Sequence, residues 1–174
     1  GSNGLAITDE LPGENGKREG FSCRDLWGYA MAQELAGVSP EMHERHVLRH
    51  QRKLGARFGL LCYGCCEAND RKWESIFASF PNLRSVSVSH CADLPKAVEM
   101  IGDRYVFSWK PNSSTLNFCT AEAIQEQLRE GLRLARECHL VVSLRDTLTF
   151  EQRTERAGQW KRIDMELAQS EVCR

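Results

Sequence analysis

The sequence predicts an α/β protein in which parallel βα units carry their helices outside the sheet. Two observations predict it. Short apolar runs of strand length (58–63, 83–88, 105–109 and 140–144) alternate with longer segments of helical periodicity. Each run also ends abruptly at polar, reactive residues, as buried parallel strands do when they deliver side chains at their carboxyl ends. The first and sharpest case is Phe58-Gly59-Leu60-Leu61-Cys62-Tyr63-Gly64-Cys65-Cys66-Glu67, where two adjacent thiols and a carboxylate follow the apolar run at once.

The bulk numbers agree with one globular domain over 1–174, with 1–20 poorly structured or holding the end of a preceding strand. The chain is 41% hydrophobic and 27% charged, ordinary values for a soluble domain. A net charge of −1 provides no global field toward nucleic acid or anionic lipid, so neither is expected as a partner. No apolar run approaches the ~18 residues that read as a membrane span. Gly1-Ser2-Asn3-Gly4 shows no basic stretch followed by an apolar one, so no signal peptide is expected there. The eight cysteines are therefore expected as reduced thiols in a cytoplasmic protein. A zinc ribbon is not expected.

In chain order, Leu5 to Pro12 reads as a strand end and Gly13 to Gly20 as a polar loop. Leu26, Tyr29, Ala30 and Gln33 have helical spacing, which predicts a helix over 25–36 with Ser22 as N-cap and Gly37 as its stop. Ser39-Pro40 starts a second helix reaching about Arg57. His43, His46 and His50 share a face of it beside Arg45, Arg49, Arg52 and Lys53. That face reads as solvated and basic rather than metal-binding. Further helices are expected over 70–80, 93–101, 120–138 and 150–169, where Trp160, Ile163 and Leu167 keep helical spacing.

Right-handed crossovers place all strand ends on one rim. The ends carry Cys65-Cys66-Glu67, then Ser89-His90-Cys91-Ala92-Asp93, then Lys110-Pro111-Asn112, then Arg145-Asp146. Singly, each has a plain explanation: Asp70 and Asp93 are good N-caps, Cys62 is a small core residue, and one of Cys65 and Cys66 faces the core, since neighbours on a strand point oppositely. Together they predict one small-molecule pocket. Cys65, Cys66, Glu67 and His90 are its candidate catalytic residues. Lys110, Asn112, Arg145 and Asp146 would bind a small anionic ligand, and Lys110 and Arg145 would favour a thiolate.

Several stretches resemble the uroporphyrinogen decarboxylase-like superfamily, in particular its decarboxylase-like and corrinoid methyltransferase-like branch. They are DLWGYAMAQELAGVSPEM, FGLLCYGCCE, PNLRSVSVSHCADLPKAVEMIGDRYVFSWKPN and the closing VVSLRD. The resemblance runs from about residue 5 to residue 169. It implies a (β/α)8 TIM-type barrel of which this chain is the C-terminal half, since a whole barrel takes ~250 residues. The family's substrate-binding arginine and aspartate residues lie in the other half, so porphyrinogen decarboxylation is not implied. Methyl transfer, corrinoid- or thiol-dependent, is. The corrinoid would be carried on a partner protein.

In the zinc-dependent branch a His-x-Cys-Gly motif is similar to Tyr63-Gly64-Cys65-Cys66. Tyr63 stands at the histidine position, with a ligand-binding role implied, and Cys65 at the cysteine. Ser143 to Arg145 contains no match for the later cysteine. A substitute zinc set would use Cys65, Cys66 and Glu67 with His90 or Cys91. A half-barrel also exposes two sheet edges, so a homo-oligomer is expected. The alternative function is a non-catalytic ligand-binding or assembly domain.

Overall fold

The structure is a computed structural model and describes residues 22–144, 147 and 149–171. The expected strand end at Leu5 to Pro12 and the candidates Arg145 and Asp146 lie outside the described residues. Five parallel strands form one sheet in the order of the chain: β1 (Trp27–Ala30), β2 (Leu60–Tyr63), β3 (Leu83–Val88), β4 (Val106–Trp109) and β5 (His139–Val142). The helices are α1 (Pro40–His43), α2 (Arg49–Gly55), α3 (Trp73–Ser79), α4 (Leu94–Ile101), α5 (Ser114–Phe118), α6 (Ala121–Leu134) and α7 (Glu155–Glu171), and a π-helical turn, Glu44–Leu48, joins α1 to α2. Every crossover steps to the next neighbour in the same direction. Right-handed crossovers then put all helices on one face of the sheet, a topology compatible with part of an α/β barrel.

The register fixes what each face carries. Ala30, Tyr63, Val86, Phe107 and Leu140 form one cross-strand row, and Val88, Trp109 and Val142 another. These rows pack into the core with Leu48, Trp73, Ile76, Ile101, Ile124, Leu128 and Leu132 from the helices. The intervening rows belong to the opposite face and are small or polar: Tyr29, Cys62, Ser85, Val106 and His139, then Ser87, Ser108 and Val141.

Caps set several element starts. Ser39 Oγ accepts from Met42 N, Asp93 Oδ1 from Lys96 N, and Thr120 Oγ1 from Ala123 N. Asp70 does not cap its own helix; its Oδ1 accepts from Asp93 N at 3.1 Å and ties two rim loops together.

Two expectations for the first third of the chain are corrected. The segment 25–36 is not a helix. Ser22 closes a capping box with Asp25, but only over the single 3-10 turn Cys23–Asp25, and Trp27–Ala30 then extends along β2. Gly28 is the physical reason for the close pairing: a Cβ there would meet the Phe58 ring at 2.6 Å and Leu61 Cδ1 at 2.9 Å. Nor do the three histidines of the second helix share a solvated face. His46 and His50 are exposed, but His43 is fully buried. Its Nε2 lies 2.9 Å from Tyr63 Oη.

Candidate functional site

The carboxyl end of β2 is built around two backbone carbonyls. Gly64 N donates to Ala30 O at 2.8 Å, carrying the β1–β2 ladder one step past the strand. Gly64 then turns with φ +96°, and a Cβ there would press on Ser87 O at 3.2 Å. Positive φ and close approach together require glycine. The turn presents Gly64 O to Tyr29 Oη, which donates at 2.7 Å. It presents Cys65 O to two donors, Lys110 Nζ and Ser87 Oγ, each at 2.9 Å.

Glu67 completes the clamp from below. Its Oε2 accepts from Cys65 N at 2.8 Å and its Oε1 from Ala32 N at 3.2 Å. The carboxylate thus fastens its own loop to the one that follows β1. Lys72 fastens the same two loops a turn later, donating to Leu35 O and Ala36 O at 3.0 and 2.8 Å. Glu67, Lys72 and Lys110 are all buried. Buried charges persist when hydrogen-bonded to groups that need a partner. Burial pushes the Lys72 ammonium down, and the nearby Glu67 charge opposes that shift.

On this platform the Cys65 and Cys66 sulfurs lie 3.6 Å apart. Cys65 is buried and Cys66 half-buried; the seven described cysteines are thiols with no disulfide among them. The Tyr29 phenol is held well above its usual range, first by burial, then by its hydrogen bond with the Cys65 side chain, then by the charges of Cys65, Cys62 and Glu67. Tyr29 is therefore a permanent donor at this rim.

The candidates separate into three groups. Cys65, Cys66, Glu67 and Lys110 come together. Glu67 and Lys110 do so through bonds to backbone groups, Glu67 having been expected among the catalytic residues and Lys110 as an anion-binding cation. His90 and Asn112 lie instead in a neighbouring cleft lined by Ser89, Trp109, Pro111 and Gln127, between the β3 and β4 ends. His90 is exposed, with Nε2 3.3 Å from Cys91 Sγ. Asn112 Oδ1 accepts from Ser114 N and Oγ at 3.0 and 2.8 Å, a local turn before α5. Tyr63 faces the helices, fully buried, with its ring 5.6 Å from that of Phe80. It belongs to the core and not to a ligand site. Burial, and then the Glu67 charge, push its phenol up.

The zinc set does not assemble. Among the described residues no three His, Cys, Asp or Glu side chains come together as a metal site. Both Glu67 oxygens already accept from backbone amides, so the residues present do not fit zinc.

Three contributors escaped the sequence. Tyr29 was hidden by the helical spacing of its segment. Ser87 lies inside the strand-length run 83–88 and has no local signal of its own. Cys62-Tyr63-Gly64-Cys65 is a CxxC spacing that the apolar run masked, and both of its thiols act on Tyr29. Comparison with known proteins adds no assignment: no family model, no curated protein and no solved structure matches the chain.

Proposed function

We propose that this chain is the C-terminal half of a uroporphyrinogen decarboxylase-like barrel whose β2 rim serves thiol-dependent methyl transfer. The observation that carries the reading is the paired Cys65 and Cys66 thiols, 3.6 Å apart, at the carboxyl end of a strand in a sequentially ordered parallel sheet. Ligand sites of such sheets lie at that end. Adjacent sulfurs suit soft nucleophilic chemistry better than proton transfer. In the step proposed, a Cys66 or Cys65 thiolate attacks a methyl carbon brought by a corrinoid-carrying partner protein. The sulfur–carbon bond forms as the donor's bond to that carbon breaks, and the bond's electron pair leaves with the donor. The thiol proton goes to solvent. Tyr29, through its bond to Gly64 O, holds the loop that carries both thiols.

The test is incubation with methylcobalamin. The expected result is loss of the alkyl-cobalt absorption together with one methyl group on the peptide containing Cys65 and Cys66, and neither change in Cys65→Ser/Cys66→Ser. Unchanged methylcobalamin with the unsubstituted chain rejects the reading. The second reading, a non-catalytic domain binding a small anion or assembling with a partner, is favoured by one observation: Glu67 and Lys110 are occupied by backbone groups.

A further inference from the structure

We infer that Cys65 and Cys66 form a dithiol clip for soft, thiophilic electrophiles of the trivalent arsenical class, and that the clamp on the Cys65 carbonyl keeps the clip open. This stands apart from methyl transfer, since it uses both sulfurs at once and needs no donor protein.

The sulfurs are 3.6 Å apart, near enough to seize one atom between them but far beyond the ~2.05 Å of a disulfide. Closing that disulfide is opposed by geometry. Adjacent Cα atoms across a trans peptide are about 3.8 Å apart, below the ~4.4 Å at which ordinary disulfides begin. Ring closure must therefore twist the peptide between Cys65 and Cys66. The carbonyl of that very peptide is held by Lys110 Nζ and Ser87 Oγ, and the preceding amide by Glu67. The pair is thus preserved as two thiols.

What can two thiols hold? Zinc in proteins takes three or four protein ligands, and the described residues supply no third. A trivalent organoarsenic brings its own third substituent and asks only for two sulfurs. The reaction balances without an oxidant: R–As=O and two S–H groups give R–As bonded to both sulfurs and one water, with the two thiol protons leaving on the arsenical oxygen. Access is from the side of half-buried Cys66.

The probe is phenylarsine oxide, read by native mass spectrometry in excess 2-mercaptoethanol. One phenylarsenic group per chain is expected, retained against the monothiol and removed by a dithiol competitor. Cys66→Ser and Cys65→Ser should each weaken binding by about a hundredfold or more, the gain that a second linked contact brings. Cys62→Ser should leave it unchanged. Lys110→Met, or Ser87→Ala if the first does not fold, should let oxidised glutathione close the Cys65–Cys66 disulfide faster. Removal of the arsenical by monothiol overturns the inference, as does its retention in Cys66→Ser or its loss in Cys62→Ser. Methylation at the same cysteines is a separate readout, so either proposal can fail alone.

Discussion

Glu67 shows how residue chemistry and residue role part company at this rim. A carboxylate beside two thiols suggests catalysis, yet both its oxygens receive backbone N–H groups from two different loops. Such charge-assisted bonds are worth more than neutral ones. In Glu67→Gln one oxygen becomes an NH2 group facing an N–H donor. The expected loss is about 1.5–3 kcal/mol of unfolding free energy, measured as a lower urea midpoint with unchanged slope. His43 gives a second prediction. Its imidazole is fully buried against Tyr63 Oη. Burial first, then the Lys72 charge, lower its pKa from the usual 6.5, while Glu67 and Glu44 act the other way. A base whose folded pKa is lowered leaves the unfolded chain holding more protons between the two values. The contribution of neutral His43 is therefore complete above 6.5 and is lost as the pH falls below it toward the folded value. Unfolding free energy should decline over that window, and His43→Gln should flatten the decline. An equal acid slope in the variant rejects this account.

At the scale of elements, the four strands β2 to β5 are legible in the sequence because each is a short apolar run with a polar stop. A strand buried in a parallel sheet has to look that way. β1 is not legible. Leu26, Tyr29, Ala30 and Gln33 match a helical stripe by chance, and only pairing with β2 over four residues decides the matter, a long-range contact that local spacing does not carry. The site follows the same division. The thiol pair and Glu67 could be read because they stand in one stretch, whereas the bonds that Ser87, Tyr29 and Lys110 make to the turn join residues 22 to 45 positions apart, a pairing that local sequence does not carry. The histidine stripe of the second helix failed for a related reason: spacing puts residues on one face but does not say whether that face meets water or the core. Gly131 allows a test of helix-on-sheet packing. It lies inside α6, where glycine costs about 1 kcal/mol of helix propensity against alanine. A Cβ there would stand 2.0 Å from Trp109 Cη2 and 2.4 Å from Cζ3. The indole of β4 is buried in the core cluster, so making way for the methyl disturbs its packing. Gly131→Ala should thus destabilise despite its better propensity, by about 1–3 kcal/mol. A more stable variant in urea unfolding would show that Trp109 shifts freely.

For the whole molecule, the consequence of sequential strand order is, among the described residues, a sheet with helices on one face and two open ends. Among those residues β1 has a neighbour on one side only, as does β5. Unpaired edges are templates for association. The helix-free face alternates polar and apolar groups, from Tyr29, Cys62 and Ser85 to Val106 and Val141. Val141, on edge strand β5, is 44% exposed, and Leu26, just before edge strand β1, is 49% exposed. No described helix is long and apolar enough to cross a membrane. A second copy of the chain, meeting the first through an edge or through the helix-free face, would cover these surfaces in the way a barrel's other half would. The expectation is a homo-oligomer at micromolar concentration, seen by sedimentation velocity as a species heavier than the 19.8 kDa chain. Val141→Lys places a charge on the β5 edge, a device that natural sheets use to prevent edge pairing. If β5 carries the contact, that variant should sediment as the monomer with its circular dichroism unchanged. A monomeric unsubstituted chain at the same concentration would mean that the edges are stable in water as they stand.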